Sequence, residues 1–326
     1  MSQFQVSYQI TIGTTTYQSG RASRLLNLRS DSALTTPVNR CNLVIAAPLD
    51  HAISIADPIT VRLGYDQQNS QVFTGKVYRV EWGIDQVYIE AYSQFTALTQ
   101  ARLNLLYEKS TAGDIVKDIA QSRLKLSVQT IESGLKFSSY AIGDHQTAYA
   151  QLQHLAHQCG FDLYADAADK LVFAPYKPSQ APKFTYGVNL LNYTRSTPSL
   201  PVQGVEVYGE SPASQGQGED ASSWLTKKEV KGTAGKSVGT VQRQFDATVR
   251  TQAAASKVAQ AALARQTAKQ RGLLKGLGNA QVQLGESIAL ADLPIAAHNG
   301  TLKAIAVAHR LNRQQGFCTT VNWEER

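Results

Sequence analysis

Near the amino terminus the chain alternates with a period of two. Phe4, Val6, Tyr8, Ile10 and Ile12 fall on one side of an extended backbone, and Gln3, Gln5, Ser7, Gln9 and Thr11 on the other. That pattern predicts a half-buried antiparallel strand. Further strand signals follow at residues 42–46, 60–65, 72–82 and 86–92, separated by turn-rich stretches at 66–70 and 83–85. Short strands at this spacing predict a small barrel or sandwich.

From about Leu98 the period changes. Ser110 and Thr111 can cap a helix whose first turn carries Asp114, and Ile115, Val116, Ile119 and Ala120 follow at helical spacing. A second helix is expected from Asp144, with Ala148, Leu152, Leu155, Ala156 and Cys159 on one face and Gly160 as its stop. Residues 161–164 and 170–173 then read as a hairpin around a polar turn. Strand character returns at 200–209, before a polar stretch at 210–239 expected to be a mobile loop. Residues 247–271 are rich in Ala and Gln and favour helix, and the basic residues there, Arg250, Lys257, Arg265, Lys269 and Arg271, have no acid among them. The chain ends in strand signals at 287–290, 301–311 and 317–323. Two regions share an outline: a strand from Gly75 turning into one that ends at Tyr92, and a strand from Gly300 turning into one that ends near Trp323. This weak duplication has an equally good reading as two ordinary hairpins.

At 326 residues, with 43% hydrophobic and 17% charged residues, the chain is long enough for two or three domains and lies far from the composition of disordered proteins. The expected class is α+β and β-rich. Two β regions, residues 1–100 and 176–326, are expected to flank an α+β insertion at 101–175, and the resemblance given below implies that each is a small antiparallel β-barrel. Cys41, Cys159 and Cys318 are odd in number and far apart, which fits a reducing compartment. The amino terminus lacks a basic start and an apolar stretch, and no window has the roughly 18 apolar residues of a membrane span, so assembly in a cytosol without membrane insertion is expected. A net charge of +7 permits an anionic partner but names none.

Gly235, Lys236 and Ser237 resemble the end of a phosphate loop, but Val230 stands where the loop needs its first glycine. His154, His157 and Cys159 lie close on one helix, without the second ligand cluster a metal site needs. His309 could pair with Asp292 or Glu324 for acid–base work, but no nucleophile motif accompanies it and a structural strand histidine is the simpler reading. No catalytic, cofactor or metal residue is therefore expected. The basic run carries no aromatic residue for base stacking. It is first a solvated helix face, and second a channel-lining or partner-facing surface.

Three stretches together resemble one family. Residues 145–173, where a helix closes on Gly160 and Phe161 before a short hairpin, the final strand pair at 300–309 and 316–323, and residues 57–64 with 72–75 are similar to the late-control D type tail hub proteins and to the hub half of type VI secretion spike proteins. The resemblance implies a structural homotrimer in the baseplate of a contractile phage tail or injection system. Each subunit contributes two similar barrels, so that three chains present a pseudo-sixfold ring to a hexameric inner tube. The opposite side receives a trimeric spike, other baseplate proteins pack around, and DNA or an effector passes through the channel. Only Glu324, Glu325 and Arg326 follow Trp323, so the spike is expected on another chain. The competing classes are a tail-associated cell-wall hydrolase and a nucleic-acid-binding protein.

Overall fold

The alternating segment forms strand β1 (Val6–Ile12), where Tyr8, Ile10 and Ile12 are buried as their spacing predicts. Ser7 is buried as well, because its hydroxyl donates to Asn69 at 2.7 Å. Phe4 lies outside the described residues: the computed structural model describes residues 5–21, 23–49, 52–197, 202–210, 230–267 and 270–325. β1 begins a meander with β2 (Thr15–Gln18), β3 (Leu25–Ala33), β4 (Arg40–Ala46), β5 (Pro58–Tyr65), β6 (Gln68–Trp82) and β7 (Gln86–Tyr92). The β5–β6 turn is tighter than the sequence suggests. Asp66 and Gln67, both at positive φ (51° and 67°), form a two-residue hairpin connection that matches the right-handed twist of the strands.

The segment after β7 is an α+β unit: α1 (Thr96–Gln100), β8 (Leu105–Glu108), α2 (Ala112–Lys117) running into a wide turn at Asp118–Arg123, β9 (Val128–Ile131), β10 (Ser139–Ile142), α3 (Ala148–Cys159), β11 (Asp162–Ala165) and β12 (Leu171–Ala174). α2 starts in a reciprocal cap, in which the Asp114 amide donates to the Thr111 hydroxyl at 3.1 Å and the Thr111 amide to the Asp114 carboxylate at 3.0 Å. α3 is capped by Thr147 rather than by Asp144, and it ends at Gly160, whose φ of 71° costs glycine little.

β13 (Lys183–Thr185) and β14 (Leu190–Ser196) return the chain to the sheet, and a second excursion builds β15 (Gly204–Gly209), β16 (Lys231–Gly235), β17 (Val241–Asp246) and α4 (Gln252–Gln266). Of the loop expected at 210–239, residues 211–229 lie outside the described residues, whereas 231–235 pair with β15 as strand. The chain closes with β18 (Arg271–Leu277), β19 (Ser287–Ala291), β20 (Gly300–Asn312) and β21 (Gly316–Glu324).

The architecture is α+β and strand-rich. Among the described residues no set of strands closes on itself, so two separate barrels, as expected from the sequence, are not what the chain forms alone. A single sheet runs β14-β18-β21-β20-β3-β4-β7-β6-β5-β1-β2, with β13 and β19 attached beside β20. Two apolar cores lie along its buried face. One is built from β1 to β7 around Ile10, Leu28, Leu43, Val61 and Phe73, and the other from Phe184, Leu274, Ile288, Val321 and Trp323. The third core ignores the expected boundary near residue 175. Val205, Val207, Ala255, Val258, Ala259 and Ala262 pack with Ile115, Leu152, Leu155 and Phe173, so α4 and its three strands belong with the α+β layer.

Polar ties fasten this layer to the sheet. Lys303 of β20 has a fully buried side chain, and its Nζ donates to both oxygens of Asp162 at 2.6 and 2.8 Å while lying over the Tyr176 ring. Gln94, just after β7, donates its amide to the Asp169 carboxylate at 2.9 Å and holds Ser127 by accepting its amide at 2.8 Å. Burial pushes the Asp169 carboxyl up to about 7, against the Gln94 amide and Lys76 and with Asp166.

Two outcomes follow. Lys303→Met strands a mostly buried carboxylate and is expected to cost about 3–5 kcal/mol in urea unfolding, most of it recovered in Lys303→Met with Asp162→Leu. The raised Asp169 means the folded state holds that proton more tightly than the unfolded chain. Its contribution is full below the ordinary carboxylate range and is lost as pH rises through about 7. Asp169→Asn keeps an acceptor for Gln94 and is expected to raise stability at pH 8 by up to about 4 kcal/mol, with little change near pH 4.

Candidate assembly surface

The strand pairing contains a repeat far more exact than the sequence outline. In the first half β4 lies between β3 and β7, with Arg40 opposite Asp31 and Tyr92. In the second half β18 lies between β14 and β21, with Arg271 opposite Ser196 and Glu324. β6 has paired Lys76 and Val77 with Tyr92 and Ala91 when a bulge intervenes at Tyr78; β20 has paired Lys303 and Ala304 with Glu324 and Trp323 when one intervenes at Ile305. β3 bulges at Leu26 and β14 at Leu191, each inside the same tripeptide, Leu25-Leu26-Asn27 and Leu190-Leu191-Asn192. β5 and β19 enter alike, with Pro58 opposite Lys76 and Ser287 opposite Lys303. Bulges re-aim a strand at a defined position. Two matched bulges in matched register therefore make β3-β4-β7-β6-β5 and β14-β18-β21-β20-β19 two copies of one five-strand unit.

The copies are joined head to tail. Beyond its bulge β20 pairs with β3, from Ala306 opposite Ala33 to Asn312 opposite Asn27. Among the described residues the matching stretch of β6, residues 79–82, has no such neighbour, and β14, the counterpart of β3, pairs with β18 and otherwise makes a single bridge from Leu190 to Tyr186. Exposure follows the pairing. His309, covered by β3, is 3% exposed, while its counterpart Trp82 is 55% exposed. Tyr78 and Ile84 are exposed beside Trp82, and Val188 and Leu191 beside the free edge of β14.

On the opposite face of the joined sheet, the described residues that line a depression belong to strands and to the β3–β4 connection. Arg29, Asp31, Arg40, Lys275 and Arg310 line a concave depression of about 610 Å³ there. Arg29 pairs with Asp31 at 2.5 Å and Arg40 with Glu90 at 2.9 Å.

The arginines read from the sequence meet partners on other segments, and Arg265 and Arg271 line one pocket with Lys303 and Glu324. Arg250 pairs with Glu210 at 3.1 Å, Arg271 with Glu324 at 3.5 Å, and the Arg265 guanidinium donates to the His157 carbonyl. Lys257 stands beside Gly134, Cys159 and Phe161, and Lys269 lies outside the described residues. The acids that neutralise this run come from elsewhere in the chain.

The motifs weighed for chemistry go separate ways. His154 meets Asp246 at 3.3 Å; burial works to raise that carboxyl, but hydrogen bonds from His154, Thr248 and Gln158 hold it at about 2. The Cys159 sulfur accepts the Leu135 amide at 3.3 Å, and burial pushes its thiol up to about 11. Among the described residues no three His, Cys, Asp or Glu side chains converge on a metal position. Gly235 ends β16 and Lys236 follows it on the way to β17, with the Lys236 amide donating to the Gln203 carbonyl at 2.8 Å, so no helix starts there. His309 is sealed in the core, bonded to Thr319 at 3.0 Å, and burial lowers it to about 4.

The fold is that of phage tail proteins. The chain superposes on the 43 kDa tail protein of prophage MuSo2 from Shewanella oneidensis with a TM-score of 0.71 and 14% identity, over 98% of both chains. A tail protein from Neisseria meningitidis gives a TM-score of 0.68 and 14% identity, over 98% of this chain and 96% of that one. The E. coli c3393 protein, a type VI secretion component described as similar to T4 tail proteins gp27 and gp5, gives 0.61 and 11% identity over 97% of this chain and 76% of that one. By sequence, the chain belongs to the Alg8 N-terminal domain family, whose model matches residues 55–313. No curated protein matches the sequence.

Proposed function

We propose that this chain is the structural hub of a contractile tail or injection-system baseplate, a homotrimer that joins a hexameric inner tube to a spike carried on another chain. The observation that carries this reading is the five-strand unit present twice in one chain, joined head to tail with matching register. Three such chains hold six copies, which is how a threefold assembly meets a sixfold one.

The ends of the sheet support the polarity. The β6–β7 and β20–β21 turns, at 83–85 and 313–315, emerge at the same end and are counterparts, so a trimer displays six similar tips there. At the other end the two units differ, since 93–182 connects the units and 197–270 is inserted between β14 and β18. That end keeps only threefold symmetry and suits the spike. The face of the sheet that bears the depression becomes the channel wall, past which DNA or an effector travels. On this reading the channel-facing cations are Arg29, Arg40, Lys275 and Arg310, while Arg250, Arg265 and Arg271 brace the chain internally.

Light scattering on the purified protein is expected to give three times the 35.4 kDa chain mass. Electron microscopy is expected to show a ring with six similar lobes at one end and three at the other. A stable monomer, or a dimer with twofold symmetry, would overturn the reading.

A further inference from the structure

We infer that the β20–β21 arm is the element that grips the sixfold partner, and that the surface it fits on that partner, the inner tube, is acidic. The inference rests on the hub reading and adds the residues and the chemistry of the contact. The two arms that reach the same end of the sheet are counterparts, but they are unequal in length. Beyond its bulge β6 makes four pairs with β7, ending at Trp82 opposite Val87, whereas β20 makes seven with β21, ending at Asn312 opposite Gly316. Three further pairs, at roughly 3.3 Å per residue, carry the second tip about 10 Å past the first.

The extension is held rigid from three sides. Leu311 and Phe317 are buried in the core of the first unit, with the Phe317 ring 5.9 Å from that of Tyr65. β3 flanks the arm on one edge as far as Asn27 opposite Asn312, and β18 on the other as far as Leu277 opposite Cys318. Asn312 closes the turn, its side-chain oxygen accepting the Gln314 and Gln315 amides at 3.0 and 2.7 Å. What this stiff arm offers is positive charge. Residues 306–316 hold Arg310 and Arg313, both exposed, and no acid, and Lys275 lines the same face as Arg310. The short arm differs: residues 79–85 hold Glu81 and Asp85 with a single cation, Arg79, which pairs with Glu81, and Ile84 at the tip is fully exposed. In a trimer long cationic tips alternate with short apolar ones, so an end that is sixfold in fold is threefold in reach and charge. Exposed cations on a fixed projection select a surface of carboxylates, and such a contact weakens with salt where an apolar one does not.

The test uses the full chain and whole tails. Arg313→Glu with Gln314→Glu reverses the tip at two exposed positions. Light scattering and circular dichroism of that variant are expected to match wild type, while the tails made with it, counted by electron microscopy, are expected to show at least tenfold fewer tubes joined to a hub. Arg313→Lys keeps the charge and is expected to stay within about twofold of wild type. Tube purified from wild-type tails is expected to retain the wild-type chain several-fold less well at about 0.5 M than at about 0.05 M salt. Ile84→Ser is expected to weaken that attachment and leave its salt dependence unchanged. A doubly reversed tip that joins tubes at the wild-type level, or a wild-type attachment indifferent to salt, overturns the acidic contact and leaves the hub reading standing. Absence of the wild-type chain from purified tails overturns both.

Discussion

Backbone pairing between β3 and β20 is the constraint on which the rest of the structure depends. Those strands are almost the length of the chain apart in sequence, and their register sets how two copies of one unit meet. Joining them buries His309, Val307 and Leu311 on one face and merges two apolar cores along one sheet. It also leaves an unsatisfied counterpart at each end of the repeat. A duplicated unit joined once inside a chain leaves one junction half at each end, here at β6 and β14 among the described residues.

The α+β layer has a different logic. It is assembled from two segments remote in sequence, 95–173 and 205–262, whose helices α3 and α4 bury small and aliphatic faces in one core. Because its strands contribute nothing to the main sheet, its position must come from side chains. Lys303 with Asp162, Gln94 with Asp169 and Ser127, and Asn39 with the Ala165 carbonyl at 2.8 Å supply that fastening. Buried polar ties of this kind fix geometry more than they add stability, since each removes charge or hydrogen-bonding capacity from water.

The charge pattern shows how misleading sequence-local counting is. Residues 250–271 carry no acid, yet Glu210, Glu324 and the His157 carbonyl, all from other segments, hold three of their arginines. Basic residues facing the depression come instead from β3, β4, β18 and β20, scattered singly through the chain. No run of sequence announces them.

Local pattern by itself determined much of this protein. Alternation predicted β1 and the strands at β4 to β7, helical spacing predicted α2 and α3, Ala- and Gln-rich composition predicted α4, and Gly160 marked the end of α3, because each depends on side chains near in sequence and on φ/ψ preferences. Strands β3 and β14 were missed, since polar residues such as Arg29, Ser30, Asp31, Thr194, Arg195 and Ser196 mask their alternation, although the shared Leu-Leu-Asn was a signal there to be used. The duplication was visible only as two similar hairpins. Its register, its matched bulges and the joint between its copies were decided by the tertiary structure alone, because a strand carries no mark of which distant strand will complete its hydrogen bonds.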